Sequence, residues 1–275
     1  MILCSTGAFV SRANGNDHRL IAEYESQLDC DGFELMLTSD WTGKLREVSD
    51  HLAGKVRKPF VNVHIGKRVG DLISRNEEGD SAAAQELFER SCEAAVNVGA
   101  EKLVLHLWNG IYSDRDMPHC VDMYKRLREI SERHGLLLTV ENVVCNFNDP
   151  MTDMHTVLDA CPDAVFTFYT KMAEFHGQLM DIALPGNRKL WERVVHLHIN
   201  DYSGGVKDWS NLKTLHIGDG QIDFDKFFGF AGTTGYKGDL TVESTAIDKE
   251  GRPDIPKMNR SLCRVRELCG KYLCR

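Results

Sequence analysis

The sequence predicts an α/β protein of one domain, built as a parallel (β/α)8 TIM barrel. Three observations lead there. Short apolar segments alternate with helical patterns from end to end of the 275 residues, which is typical of a parallel α/β protein. The apolar segments number eight, the number of βα units in a closed barrel. Barrels of roughly 250 residues fold as single units, and no linker rich in Pro or Ser divides the chain, so we place residues 1–275 in one domain.

The candidate strands are short runs of β-branched, leucine and aromatic residues. They are Ile2–Thr6, Phe33–Leu37, Phe60–Ile65, Leu103–Trp108, Leu137–Asn142, Val165–Tyr169, Val195–Asn200 and Asp239–Ser244. An open, doubly wound sheet is the alternative arrangement. It predicts a Gly-x-Gly-x-x-Gly turn after the first strand, and residues 5–9, Ser-Thr-Gly-Ala-Phe, do not form one. The barrel is therefore the preferred interpretation.

The helices between the strands are predicted from signals at their ends. One helix opens at Ser81 and runs to Gly99, a residue suited to a helix C-terminus. Another has Pro118 in its first turn and ends near His134 and Gly135. Candidate N-caps of further helices are Asp17, Thr42 and Thr152.

Composition excludes several classes of protein. The chain has 33 Lys and Arg against 41 Asp and Glu, a net charge of −8, which disfavours a nucleic-acid binder. No apolar run approaches the ~20 residues needed to span a bilayer. The first residues, Met1–Ser5, lack the basic region of a signal peptide. Nine cysteines with no Cys-x-x-Cys pair indicate free thiols in a reducing compartment. We expect a cytoplasmic globular enzyme without nucleic-acid or membrane partners.

Side chains of a barrel strand point alternately to the inside and to the surrounding helices. On the seventh strand, His196, His198 and Asn200 share one face, and the aliphatic residues between them share the other. The same period brings ionisable side chains to the inner face of other strands, near their C-terminal ends. These are Glu34, His64, His106, Glu141, Tyr169, His198 and Glu243.

A buried carboxylate normally pairs, coordinates a metal or takes up a proton, because isolating its charge is costly. Barrel enzymes collect catalytic groups at the C-terminal rim. Glu141 and Glu243, converging there with three histidines, indicate a divalent-metal site. Structural roles remain open for some members. His64 and His106 could be hydrogen-bonded core histidines, Glu34 could pair with a basic residue, and His196 could buttress its neighbour.

Four segments carry a resemblance to a known family. They are Thr139–Asn142, His196–Asp201, the run His216–Phe224 with the sequence His-Ile-Gly-Asp-Gly-Gln-Ile-Asp-Phe, and Leu240–Ser244. In this order they resemble the xylose isomerase-like TIM barrels, the superfamily of sugar phosphate isomerases and epimerases. The resemblance covers essentially the whole chain. It is specific for the superfamily and says little about the substrate.

The resemblance implies one Mn²⁺ or Mg²⁺, as in the ketose 3-epimerases, or Zn²⁺. It places three of the family's metal ligands at Glu141, His198 and Glu243. The fourth ligand of the family, an aspartate, falls on Tyr169. A neutral phenol is a poor ligand for a hard cation. The resemblance thus leaves the ion weakly bound or absent if Tyr169 cannot ligate. The type IV apurinic endonucleases of the superfamily need more ligands, and Met172 and Thr214 replace two of them, so DNA repair is not expected.

The implied activity is isomerisation or epimerisation of a sugar or polyol through an enediolate. Glu141 and Glu243 are the candidate catalytic residues, because strands three apart could approach a bound sugar from different sides. Candidate substrate-binding residues are His64, His106, Lys171 and Asn200. The segment Tyr202–Asp219 is a candidate lid, and His176 could contact the substrate. A dehydratase and a metal-free sugar-binding subunit remain alternatives, and a homo-oligomer is compatible with the fold.

Overall fold

The computed structural model describes residues 1–273, and its strands form a closed parallel barrel in which each strand pairs with its neighbours in the chain and the last with the first. The predicted TIM barrel is therefore confirmed. The strands are β1 (Ile2–Ser5), β2 (Gly32–Met36), β3 (Phe60–His64), β4 (Lys102–Leu105), β5 (Leu137–Glu141), β6 (Val165–Tyr169), β7 (Val194–Ile199) and β8 (Asp239–Val242).

All eight predicted strands exist, and they differ from the observed ones mainly at their C-terminal ends. The largest difference is at β4, which ends at Leu105 rather than at Trp108. In β8 the ladder ends at Val242, so Glu243 lies one residue past the strand. Apolar character continues past these points because the first loop residues are still packed in the interior; Leu107 and Trp108 have no exposed surface.

The helices cover the outside of the barrel. They are α1 (Arg19–Tyr24), α2 (Leu45–Lys55), α3 (Arg68–Arg75), α4 (Asp80–Asn97), α5 (Met117–Arg133), α6 (Pro150–Ala160), α7 (Thr170–Phe175), α8 (Arg188–Trp191), α9 (Phe224–Thr233) and α10 (Ile255–Tyr272). Short 3-10 helices lie in the connecting loops. None of the helices described is long and apolar enough to cross a membrane.

The ends of α4 and α5 agree with the prediction, whereas two predicted N-caps are wrong. Helix α2 begins at Leu45 after Lys44, so Thr42 does not cap it. Thr152 lies inside α6, and the cap is Asp149, whose Oδ1 accepts the Thr152 N–H at 2.9 Å. Pro150 occupies the first helical position, where its missing N–H costs nothing. The helix therefore begins two residues before Thr152.

Asp17 is not the N-cap residue of α1, but its side chain still satisfies a backbone N–H group at the start of that helix. The N-cap residue of α1 is His18, yet Asp17 Oδ1 accepts the N–H of Arg19, the first helical residue, at 3.0 Å. An acidic side chain there also faces the positive end of the helix dipole.

The alternation along the strands is the predicted one. On β7, Leu197 and Ile199 pack outward, whereas His196 and His198 point into the barrel, and all four are fully buried. Every cysteine among residues 1–273 is a free thiol, as expected for this part of the chain.

Candidate active site

The centre of the site is the carboxylate of Glu141 at the end of β5. Three histidine rings meet it, two from β3 and β7 and one from the residue that follows β4. His64 Nε2 lies 3.2 Å from one carboxylate oxygen, and His106 Nε2 lies 3.0 Å from the same oxygen. His198 Nδ1 lies 3.2 Å from the other oxygen. The structure thus brings together residues that are 35 or more positions from Glu141 in the chain.

Burial and charge set the protonation of this group. Burial raises the pKa of Glu141, but the attraction of His198 and His106 outweighs it and holds that pKa well below its usual range. Burial lowers the pKa of His198, yet Glu243, Glu34 and Glu141 together raise it well above its ordinary value. Glu141 is therefore ionised at neutral pH, and the imidazolium of His198 balances the carboxylates around it.

Glu34 on β2 belongs to this group, although the sequence analysis did not count it among the site residues. Its Oε1 lies 3.0 Å from His198 Nε2, and its side chain has no exposed surface. Glu34 therefore pairs with a histidine, not with the basic residue considered above. Because Glu34 engages Nε2 of His198, the Nδ1 atom of that ring faces Glu141. The same Nδ1 lies 3.6 Å from Glu243 Oε2. The inward parity of Glu34 was the signal that could have found it.

His196 supports this arrangement from below. Its Nε2 lies 2.8 Å from Thr241 Oγ1, and its Nδ1 lies 3.2 Å from Thr167 Oγ1. Burial and then the charge of His198 lower the pKa of His196 well below its ordinary value. A neutral histidine bonded to two hydroxyls matches the buttressing role considered for it.

Glu243 differs from the other carboxylates because it faces open space. Its side chain is 10% exposed, against 0% for Glu34 and 1% for Glu141. Its Oε1 atom is buried and has no hydrogen-bond partner within residues 1–273. A buried carboxylate oxygen without a partner is costly unless a ligand or solvent molecule satisfies it.

Tyr169 occupies the position at which the resemblance places an aspartate. Its hydroxyl oxygen accepts a hydrogen bond from Asn200 Nδ2 at 2.6 Å. Burial, and then the Glu243 and Glu141 carboxylates, raise the pKa of Tyr169 well above its ordinary value. The phenol is therefore neutral and adds no negative charge.

Asn200 does not reach the cavity, contrary to its expected place among the substrate contacts. Its amide nitrogen binds Tyr169, and its Oδ1 accepts a hydrogen bond from Ser244 Oγ at 2.9 Å. Its side chain has no exposed surface. Asn200 therefore acts on the site through its hydrogen bond to the Tyr169 hydroxyl.

The donor set suits a hard divalent cation except at Tyr169. Glu141, His198 and Glu243 present two carboxylates and one imidazole nitrogen, and the unpaired Oε1 of Glu243 is an oxygen that an ion would satisfy. The three residues His64, Glu141 and His198 have their ligand atoms within 4.8 Å of one another. Glu141, His198 and Glu243 fit a metal with three protein ligands, and Tyr169 supplies no charged fourth ligand.

A cavity of about 610 Å³ opens above these residues at the C-terminal rim of the barrel. Of the expected site residues it is lined by His64, His106, Glu141, Tyr169, Lys171 and Glu243. Met172 and Thr214, which stand where the endonucleases have ligands, also line it. The predicted concentration of functional groups at this rim is therefore observed.

The loop after β7, the expected lid over Tyr202–Asp219, is anchored by Asp201. The carboxylate of Asp201 accepts the backbone N–H groups of Gly218 at 2.9 Å and Gly220 at 3.0 Å. Thr214 is the part of this segment that lines the cavity.

Two other histidines, His176, considered as a substrate contact, and His216, the first residue of a segment that carries the resemblance, lie away from the cavity. His216 lies with Nδ1 2.7 Å from Ser261 Oγ and Nε2 2.9 Å from the Thr245 carbonyl oxygen. His176 accepts the Cys145 backbone N–H at 3.3 Å, and burial lowers its pKa to about 4. Neither ring lines the cavity.

A second group of buried ligand-type side chains lies outside the barrel, and we call it the loop cluster. It consists of Asp114, Cys145 and Asp153. Cys145 Sγ donates to Asp153 Oδ2 at 3.1 Å. Asp114 accepts backbone N–H groups from residues 146–148, with distances of 2.7 Å from Asn146 and 2.5 Å from Asn148. Burial raises the pKa of Asp153 to about 7.

Comparisons with known proteins agree with this architecture. A family model described as xylose isomerase-like TIM barrel matches residues 23–263. No curated protein matches the sequence significantly.

Solved structures of similar fold include several sugar epimerases. A D-tagatose 3-epimerase-like protein has a TM-score of 0.70 and 18% identity, over 99% of this chain and 96% of its own. L-ribulose 3-epimerase has a TM-score of 0.70 and 13% identity, over 98% and 95%. The 3-keto-D-glucoside 4-epimerase of E. coli has a TM-score of 0.66 and 19% identity, over 97% and 98%. At these identities the likeness is one of fold.

Proposed function

This chain belongs to the xylose isomerase-like TIM barrel family, and we propose that it is a sugar isomerase or epimerase that moves a proton at a carbon next to a carbonyl group. The observation that carries the proposal is the pair Glu141 and Glu243, which come from strands three apart and face one cavity. Several of the structural neighbours are sugar epimerases, which supports a sugar as the class of substrate.

The surroundings of the two glutamates favour different roles. Glu141 is ionised, enclosed and already in contact with three histidines, so its affinity for a proton is low. Glu243 lines the cavity and is partly exposed, and its Oε1, although buried, has no hydrogen-bond partner within residues 1–273. Glu243 is therefore the better acceptor of a carbon-bound proton, and Glu141 is the better metal ligand.

Glu141, His198 and Glu243 would hold a divalent cation, with Mn²⁺ or Mg²⁺ favoured by the oxygen-rich donor set. When bound, such an ion stabilises the negative charge that develops on the carbonyl oxygen. Tyr169 would contribute no charge to it.

The remaining cavity residues suit binding of the sugar. Burial lowers the pKa of His106, and its neutral ring lines the cavity with Nε2 3.0 Å from Glu141 and Nδ1 3.2 Å from Asn109 Oδ1. His64 faces Glu141 through Nε2, with its Nδ1 lying 2.9 Å from the Ile65 carbonyl oxygen, which fixes the ring. Lys171 supplies an ammonium group at the wall of the cavity. We propose these three as substrate-binding residues.

The test is solvent isotope exchange. The protein, loaded with Mn²⁺, is incubated in D₂O with a panel of ketoses and keto-inositols, and deuterium at carbon is followed by NMR. We expect deuterium in at least one ketose together with its epimer or aldose, and no exchange with Glu141→Gln or Glu243→Gln. Circular dichroism confirms that both variants fold.

Two other outcomes would overturn the proposal. Loss of a hydroxyl with growth of enone absorbance would identify a dehydratase. Absence of exchange with every compound, together with no stoichiometric metal, would leave a sugar-binding subunit, a role that the neutral Tyr169 makes physically reasonable.

A further inference from the structure

The cavity is not uniform in charge. Its floor holds Glu141 and Glu243, whereas its walls carry four cationic side chains, Arg12, Lys67, Arg68 and Lys171. Within residues 1–273, none of the four forms a side-chain hydrogen bond or an ion pair with a carboxylate. In a chain with a net charge of −8, these four positive charges at one cavity would attract an anionic ligand.

Lys171 is the most informative of these side chains because it is only 7% exposed. Its Nζ lies 5.0 Å from the centre of the Tyr169 ring, a cation–π contact and not an ion pair. Among residues 1–273 no carboxylate forms an ion pair with this ammonium, although Glu243 and Glu141 attract it from farther away. A ligand anion in the cavity would give this buried charge a direct partner.

Lys67 also lines this cavity, close enough for its positive charge to act on both Lys171 and His106. It is the N-cap residue of α3, whose first turn, with Arg68 and Val69, also lines the cavity. Gly70 permits this position, because a Cβ there would lie 2.3 Å from the His106 carbonyl oxygen. The positive end of the α3 dipole and two lysines therefore converge on one region.

We infer that Lys67, Lys171 and the N-terminus of α3 form a subsite for an anionic group of the substrate, a phosphate or a carboxylate. The inference rests on the proposed function, since it names the class of sugar that the same cavity takes. The volume of about 610 Å³ leaves room for a sugar over the glutamates and a charged group beside the lysines.

Binding measurements test the subsite without relying on turnover. Calorimetry compares three ligands that share one carbon chain, namely D-fructose, D-fructose 6-phosphate and D-fructuronate, with inorganic phosphate as a fourth probe. We expect one of the anionic sugars to bind at least about 10-fold more tightly than D-fructose, as charge-assisted hydrogen bonds predict. The preferred anion distinguishes phosphate from carboxylate. The preference should fall as NaCl rises from about 50 to 500 mM.

Variants assign the preference to these residues. In Lys67→Gln and in Lys171→Met, the ratio of affinities for anionic and neutral sugar should fall to less than about threefold. The control is Lys125→Gln, which removes an exposed lysine of α5 that does not line the cavity and should keep the full ratio. Equal affinities for all three sugars in the wild type, or a ratio that survives both variants, would overturn the subsite.

The two proposals can fail separately. Deuterium exchange into neutral ketoses without any anion preference would leave the epimerase standing and remove the subsite. Anion preference lost in Lys67→Gln, without exchange into any ketose, would keep the subsite and remove the epimerase.

Discussion

Within residues 1–273, metal-ligand residue types cluster in two separate buried regions, and these differ in what surrounds them. The barrel cluster, made of Glu34, His64, Glu141, His198 and Glu243, lies under the cavity. The loop cluster, made of Asp114, Cys145 and Asp153, does not line it.

In the barrel cluster, histidines hold the central carboxylate ionised, and one carboxylate oxygen of Glu243 stays free. In the loop cluster, backbone N–H groups occupy Asp114, and the raised pKa of Asp153 favours its protonated form. Similar residues thus serve chemistry where a ligand can reach them and hold loops together where the protein satisfies them itself. Access and free bonding capacity distinguish the two cases better than residue type does.

The largest expected difference between the clusters is in catalysis. Glu141→Gln removes the charge on which three histidines converge, and we expect kcat/KM to fall by at least about 10³-fold with loss of bound metal. Asp153→Asn replaces an acid whose pKa is raised to about 7 with a neutral side chain of the same shape, and kcat/KM should stay within about threefold. Steady-state kinetics and metal analysis of both variants check this. An equal loss in both would mean that the loop cluster shares in the chemistry.

A second comparison concerns the support of the metal ligand His198. Glu34→Gln weakens the contact that orients the ring, and Mn²⁺ affinity should fall by about 10- to 100-fold. Calorimetric titration with Mn²⁺ measures the change. Glu47→Gln, at an exposed position of α2, is the matched control and should leave the affinity unchanged. An unaltered affinity in a folded Glu34→Gln variant would show that the ring is oriented by packing alone.

Substitution of Tyr169 is expected to change Mn²⁺ affinity by a smaller factor than Glu34→Gln does, and in the opposite direction. Tyr169→Asp would place a third carboxylate beside Glu141 and Glu243, as a fourth protein ligand, and Mn²⁺ affinity should rise by about 10-fold. Tyr169→Phe tests the role of the phenol, and because the hydroxyl is neutral this variant should bind Mn²⁺ as the wild type does. No gain with aspartate would contradict the placement of residue 169 in the ligand set.

The smallest effect is on the pH dependence of stability, and it belongs to the loop cluster. The pKa of Asp153 is raised to about 7 in the folded protein from an ordinary value of 3.8. Between these values the folded state binds a proton that the unfolded state does not, so this group lowers the free energy of unfolding as the pH rises.

Asp153→Asn removes that dependence, and Tm relative to the wild type should be a few °C higher at pH 8 than at pH 5. Thermal unfolding at several pH values measures the difference. Parallel Tm profiles of variant and wild type would contradict the protonated state of Asp153.

The sequence alone was sufficient for the barrel and for most of its inward residues. Strand parity is a local property with a period of two, so His64, His106, Glu141, His198 and Glu243 could be placed on the inner face without knowing which strands are neighbours. Helix starts were less predictable. Thr42 and Thr152 have suitable side chains, but the cap of α6 was decided by the proline after Asp149.

Only the tertiary structure decided which inward residues have free bonding capacity. Glu34 pairs with His198 across the barrel, and Asn200 is occupied by Tyr169 and Ser244. Closure of the barrel sets the distances between side chains of different strands, and burial then sets their charges. The sequence determines the type of each residue and the face of the strand on which it lies. The partners of each residue come from strands far away in sequence, so its chemistry depends on the closed fold.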